Sequence, residues 1–264
     1  MNATIKDPQS VFVSNGEIFL VTQNRVRKLV RNGQIVTIAG TGMQVSNGDG
    51  QPANLAQLND PPTVFVSSSD QVYISEYYGH RIRKIDRNGI ISTIAGIGLF
   101  GFNGDDQLAV NAKLNCPMGL FVTDEDEILI ADMGNNRVRR IDRCGVITTI
   151  AGTDGQGFNG DDQLATSASL LLPTSVFQYK GEIYICELHG HRIRKIGVDG
   201  MIKTIAGTGV AGYNGDGIMA TNAQINNPFC VHVHNDQVYF SDCLNNRIRK
   251  IDGNGMTVLD LQNH

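Results

Sequence analysis

The sequence has no tryptophan, seven prolines in 264 residues, and no uninterrupted apolar stretch of about 18 residues. That last absence leaves no candidate for a membrane helix. Met1 to Ser10 lacks the charged-then-apolar pattern of a secretory leader. The five cysteines, Cys116, Cys144, Cys186, Cys230 and Cys243, are odd in number and contain no CxxC. A disulfide framework and a thiolate zinc site are therefore not expected, and free thiols in a reducing, cytoplasmic setting are the simpler expectation. No phosphate loop, HExxH or Gly-x-Ser-x-Gly is present, so the common catalytic signatures are missing.

What the chain does have is glycine, 30 residues of it, with a 41% apolar content sufficient for a packed core. It also has an internal repeat. Thr37-Ile38-Ala39-Gly40 returns as Thr93 to Gly96, Thr149 to Gly152 and Thr204 to Gly207, in steps of 55 or 56 residues. The basic run beginning at Arg25 returns at Arg81, Arg137, Arg192 and Arg247, and a proline opens each unit at Pro8, Pro61, Pro117, Pro173 and Pro228.

Within the second copy, four short β-rich runs stand out: Val64 to Val66, Gln71 to Ser75, Arg81 to Ile85 and Ile90 to Ala95. Asn88-Gly89 joins the last two, with Asn32-Gly33, Asp199-Gly200 and Asn254-Gly255 as counterparts, and such pairs suit the positive φ angles of a tight hairpin. Cys144-Gly145 is a weaker turn former at the same place in the third copy. A long connection follows each copy. In Gly96 to Cys116 the spacing predicts a short helix over Gln107 to Leu114, with Asp105 or Asp106 near its N-cap. Four strands and a return loop, repeated five times, predict an all-β fold, a β-propeller of five four-stranded antiparallel blades. The blades span approximately 8–40, 61–96, 117–152, 173–207 and 228–261 of a single domain.

Pro-x-x-Val-Phe, then Val-Tyr-Ile-Ser-Glu, then Gly-His-Arg-Ile-Arg-Lys-Ile-Asp resembles the NHL repeat, and the resemblance covers the whole chain. Gly190 to Lys195 and the linker Gly212 to Gly217 are similar to the long-linker units of that family. The resemblance implies six blades, whereas five are counted. Asn2 to Pro8 aligns with Asn111 to Pro117, so the chain starts inside a linker, and it stops after the fourth strand at Met256 to Leu261. The alternatives are five blades that close alone, part of a six-bladed propeller completed by other chains or missing sequence, with a homo-oligomer as one outcome, and an engineered or trimmed array.

In a propeller the long linkers and the second-to-third-strand turns share one face, called the top here. Most of the 22 Lys and Arg lie in the third-strand runs, and Arg31, Arg87 and Arg143 lie in the opposite hairpins. The top linkers carry Asp49, Asp60, Asp105, Asp106, Asp161, Asp162 and Asp216, with Lys113 and Lys6 as their cations. An acidic top and a net charge of −4 argue against the RNA binding through a basic top face that some NHL propellers use.

Three groups are candidates for chemistry. Glu76, Asp132, Glu187 and Asp242 each lie five residues before an arginine run, and are expected to pair with Arg81, Arg137, Arg192 and Arg247 rather than ring a cation. The Asn-Gly-Asp loops could offer oxygens to Ca²⁺, but capping and Asx-turns account for them more simply. His189, His191, His232 and His234 break the repeat and are weak candidates for Zn²⁺. His232 and His234 alternate along one strand and so share a face. No cofactor is expected. The leading expectation is a non-enzymatic scaffold that binds a protein or basic peptide through top-face loops, specifically Tyr77, Tyr78, His80, Asn135, Asn136, His189, His191, Asn245, Asn246, Asp105, Asp106, Asp161 and Asp162. The alternative is a metal-dependent lyase or hydrolase with its site in a central channel.

Overall fold

The computed structural model describes residues 5–30 and 32–258. Arg31, residues 2–4 of the expected linker remnant and the end of the expected last strand lie outside those residues.

The chain is a five-bladed β-propeller in fold class, built of five antiparallel sheets whose four main strands follow one another in sequence order. The strands of blade 2, Val64–Val66, Val72–Glu76, Arg81–Ile85 and Ile91–Ala95, match the expected ones to within a residue. Blade 1 runs from Pro8–Ser14 to Ile35–Ala39, blade 3 from Pro117–Val122 to Val146–Ala151, and blade 4 from Pro173–Tyr179 to Met201–Ala206. Blade 5 opens with Pro228–His234 and ends in Thr257–Val258.

Packing groups the described residues into two compact units, which part within blade 3. One runs to Ile128 and includes Arg140–Thr148; the other holds Leu129–Arg139 and the described residues from Thr149 onward. In the first, Val21, Val26 and Ala39 of blade 1 pack on Val64, Val66, Val72 and Ile74 of blade 2. In the second, Cys186, Ile193 and Ala206 of blade 4 pack on Val231, Val233, Val238 and Phe240 of blade 5. Each blade thus supplies the apolar cover that a lone four-stranded sheet lacks, which is why repeats of this size are stable only when stacked. The inner strands add an aromatic row, with ring centroids 4.6 Å apart for Phe12 and Phe65 and 5.2 Å for Phe65 and Phe121.

Two local expectations need correction. The segment 107–114 is not a helix of several turns. Gln107–Leu108 is a short strand and Ala109–Asn111 a single 3₁₀ turn. Its cap is Leu108, with no side-chain hydrogen bond, so neither Asp105 nor Asp106 caps it. The backbone groups of this segment are spent elsewhere: Asp106 N–H donates to Ile147 O at 2.9 Å and Ala109 N–H to Gly145 O at 2.8 Å. Pairing to a sheet edge satisfies these amides and overrides the local helical preference. Likewise, the outer hairpins do not need two residues at positive φ. Gly89 alone adopts it (77°), while Asp86 Oδ1 accepts from the Asn88 and Ile90 amides at 2.9 Å. Asp142 does the same for Cys144 and Val146, so cysteine is tolerated beside Gly145. In blades 2 and 3 the turn is thus made by the aspartate that follows the third strand, whereas in blades 1 and 4 the residue before glycine does it, Asn32 and Asp199 accepting from the Gln34 and Met201 amides.

The glycine of the Thr-Ile-Ala-Gly motif has a definite reason. Gly207 sits at φ 94° and a Cβ there would strike the His191 carbonyl oxygen. Its N–H begins the linker by donating to Ala220 O at 3.0 Å, and Ala220 N–H then donates to Gly255 O at 2.9 Å. The linker after blade 4 is thereby laid along the outer hairpin of blade 5.

Candidate functional site

The repeated carboxylates are buried, and their partner is the second arginine of each run rather than the first. Glu76 bonds Arg83 at 3.2 Å, Asp132 bonds Arg139 at 3.4 Å, Glu187 bonds Arg194 at 3.1 Å and Asp242 bonds Arg249 at 3.3 Å. Glu76 lies directly opposite Arg81 in the strand register, as the spacing suggested. That first arginine is drawn outward, where Arg25 donates to Thr41 O, Arg81 to Ile97 O and Arg192 to Thr208 O. The diagonal arginine then reaches the carboxylate. Three of the acids also accept a linker amide, from Asn59 to Glu76 (2.9 Å), Leu171 to Glu187 (2.8 Å) and Asn226 to Asp242 (2.6 Å). Burial pushes the Glu76 and Glu187 carboxyls above the ordinary carboxylate range, with the arginines pulling the other way. The role is structural, as the repeat implied.

The aspartates of the Asn-Gly-Asp loops complete the same assemblies. Asp49 grips Arg83 at 2.7 Å, Asp161 grips Arg194 at 3.0 Å and Asp216 grips Arg249 at 2.9 Å. Asp161 also accepts from Thr204 N–H at 2.9 Å. Asx-turn and capping roles for these loops give way to ion pairing. The top face accordingly presents fewer uncommitted carboxylates than its composition suggests. Asp106 and Asp162 are exposed, in the left-handed region at φ 57° and 56°.

Three of the candidate turn residues serve as latches. His80 Nδ1 accepts from Cys116 N–H at 3.1 Å, Asn136 Oδ1 from Leu172 N–H at 2.9 Å, and His191 Nδ1 from Asn227 N–H at 3.2 Å. Asn24 does this in blade 1, accepting from Asp60 N–H at 2.9 Å. All four have φ between 48° and 57°, where a short polar side chain that bonds locally is favoured. Burial lowers the pKa of His80 and of His191, with neighbouring cationic groups adding to it, which suits a neutral acceptor. Asn135 and Asn245 donate to the buried Asp132 and Asp242 at 2.7 and 2.9 Å. Asn246 is exposed.

The histidines do not gather. His189 is exposed and His191 is committed to its latch. His232 and His234 share one face of their strand, as expected, alternating with buried Val231 and Val233. His232 lies 4.5 Å from the Phe177 ring. Among the described residues no three His, Cys, Asp or Glu side chains converge as a metal set.

Sequence reasoning passed over the feature that stands out most in the first unit. Phe100 is 71% exposed, more than any other Phe or Tyr among the described residues, and Leu99 and Tyr78 are also exposed; the linkers expose further apolar side chains, among them Met43, Leu55 and Val210. Phe100 lies 6.0 Å from the His80 ring, and Tyr78 packs edge-on against Tyr77 at 4.8 Å. The Tyr77 phenol is pushed up to about 12 by burial, with the Cys116 thiol adding to it, so it holds its proton at neutral pH. The signal was in the sequence: Phe100 stands where the other linkers have Gln44, Gln156 and Ala211, while Leu99 matches the apolar Met43 and Val210 of two of them. By contrast, two of the linker aromatics that do recur lie over arginines while staying partly exposed. Phe158 covers Arg192 at 4.0 Å and Tyr213 covers Arg247 at 3.9 Å.

No family model matches the chain. Teneurin-m of Drosophila melanogaster is 30% identical over a stretch covering 80% of the chain and 8% of Teneurin-m. Teneurin-4 of Mus musculus is 29% identical over 94% of the chain and 10% of its own length. The chain thus spans about a tenth or less of these curated relatives. Among solved structures, an auxiliary nutrient binding protein from Bacteroides ovatus superposes with a TM-score of 0.65 at 17% identity, covering 94% of this chain and 60% of that one. Virginiamycin B lyase from Staphylococcus aureus gives 0.55 at 17% identity, covering 97% and 85%. These structural likenesses show the fold, which carries binding proteins and enzymes alike. Together with the teneurin similarity they support a propeller repeat family.

Proposed function

We propose that the chain is an NHL-type propeller module acting as a non-enzymatic interaction scaffold, and that its linker face takes a protein or peptide partner. The observation that carries this reading is the exposed Tyr78, Leu99 and Phe100 beside His80. Exposed aromatic side chains are suited to anchor a partner, and such anchors dominate the energetics of protein contacts. Exposed Asp106 on the same linker favours basic groups beside the partner's apolar anchor. Tyr77, Asp105, Asp162, His189 and Asn246 extend the candidate surface within their own units. The latch residues His80, Asn136 and His191 shape it, and Asn135, Asn245 and Asp161 hold its frame. The repeated motifs and the teneurin similarity support the family reading.

Selection of displayed random peptides on the immobilised protein tests this. The expected result is enrichment of peptides with an aliphatic or aromatic residue flanked by Lys or Arg. A selection that yields no binders, or acidic ones, removes the reading.

A further inference from the structure

Two of the linkers carry a ring that the first linker does not. Phe158 lies over Arg192 at 4.0 Å and Arg194 at 5.0 Å, and Tyr213 lies over Arg247 at 3.9 Å and Arg249 at 5.3 Å. Each ring immediately precedes the Asn-Gly-Asp run of its linker and covers arginines of the blade that follows. The face of an aromatic ring attracts a guanidinium, and the two flat groups stack. Both rings sit at the surface, 44% and 40% exposed, so this place on a linker is open to approach from solvent.

Arg81 has the same setting without the ring. Val45-Ser46 stand in the place of Gly157-Phe158 and Gly212-Tyr213. Arg81 donates from Nη2 to Ile97 O at 3.3 Å, as Arg192 does to Thr208 O at 3.1 Å. Its guanidinium lies against Gly98, where a Cβ would strike it, just as that of Arg192 lies against Gly209. Ser46 meets only the edge of the group. Its Oγ accepts from Arg81 Nη1 at 3.0 Å and donates to Glu76 Oε2 at 2.6 Å. Arg81 is partly exposed, and among the described residues no ring lies over it. What the serine leaves uncovered is the flat face. A carboxylate would bind through in-plane N–H groups, and both Nη atoms already donate, whereas a ring needs only the face. The place also adjoins the exposed aromatic cluster. His80 precedes Arg81 and its ring is 6.0 Å from Phe100, while Ile97 and Gly98 lead directly into Leu99 and Phe100.

We infer that the face of Arg81 is a subsite for an aromatic side chain, a Phe, Tyr or Trp of the peptide partner. The partner's ring stacks on Arg81 as Phe158 does on Arg192 and Tyr213 on Arg247. The inference rests on the proposed function and adds to it the class of one anchor residue and the place it occupies.

The probe is one aromatic-containing peptide taken from a random displayed library selected on the full chain, titrated alongside a version whose ring is replaced by leucine. Arg81→Lys keeps the charge and removes the flat face, and Ser46→Phe supplies the ring from within, as the third linker does. Each of the three changes alone should weaken binding at least about fivefold. The leucine peptide should lose nothing further on either variant, since the ring and the guanidinium act as one contact. Melting curves accompany every titration, and where Ser46→Phe misfolds Arg81→Lys alone closes the cycle. Effects of the peptide and protein changes that simply multiply would overturn the inference. So would a selected pool with no preference for aromatic over aliphatic residues, and both results leave the proposed function standing. A selection without binders removes the proposed function and this inference with it.

Discussion

His80 holds the backbone N–H of Cys116 through Nδ1 at 3.1 Å, fixing the end of one linker to the top turn of the preceding blade. Asparagine does the same work at Asn24 and Asn136, and His191 repeats it on Asn227. An imidazole can accept only while neutral, so two of these latches are sensitive to acid and two are not.

The pH dependence follows with a definite sign. His80 and His191 have pKa values lowered in the folded state, so the unfolded chain binds protons more readily. Their stabilisation is present above the ordinary histidine value of about 6.5 and is lost as pH falls through the lowered folded value. Glu76 and Glu187, raised by burial, act oppositely: their contribution is present at low pH and lost as pH rises through their folded values. Comparing wild type with the His80→Asn/His191→Asn double variant separates the two effects. The melting midpoint of wild type should fall further than that of the variant between pH 7.5 and pH 5.5, both pH values chosen to be about one unit either side of 6.5. Parallel pH curves would show that the imidazoles carry no such role.

The buried arginines are predicted to be among the most sensitive positions. Arg194→Ala leaves Glu187 buried without its cation and should cost about 3–5 kcal/mol, read from denaturant unfolding. Glu182 and Lys195, a partly exposed pair at 2.7 Å, should yield no more than about 1 kcal/mol on the same assay.

Adjacent aspartates should behave differently. Asp161→Asn weakens the bonds to Arg194 and Thr204 and should destabilise by about 1–3 kcal/mol. Asp162→Asn changes an exposed side chain at a left-handed position that asparagine accepts, so a change within about 0.5 kcal/mol is expected. Equal effects would mean that Asp161 is not part of the ion-paired frame. Reversing the charge at all four of Asp105, Asp106, Asp161 and Asp162 is therefore not a neutral probe of the surface.

Calcium should leave the melting midpoint unchanged at millimolar concentration. The aspartates that would supply its oxygens, Asp49, Asp161 and Asp216, are already held by guanidinium groups. A reproducible rise on adding calcium, reversed by chelator, would contradict this.

The fold was legible because its signals are local and repeated. The Arg-x-Arg runs, the glycine after Thr-Ile-Ala and the prolines at unit starts mark strands and turns whose spacing admits little else. Roles that depend on side-chain direction were less so. A five-residue gap pointed from Glu76 to Arg81, yet register alone does not say that Arg81 turns away to a carbonyl and Arg83 fills the space. The helix expected at 107–114 failed for a related reason, since its amides are claimed by a sheet edge tens of residues away in sequence. His80 and Asn136, expected at the binding surface, also serve the repeat by latching a linker amide. Phe100, which breaks the repeat, was the one to follow.

The account divides the linker face into a polar frame and an apolar contact site, and one titration tests that division. A peptide selected on the wild-type protein is titrated into wild type and into Leu99→Ser/Phe100→Ser, with each protein's melting curve recorded. The account predicts at least about a tenfold loss of affinity with an unchanged melting midpoint. Undiminished affinity in the double variant would contradict it.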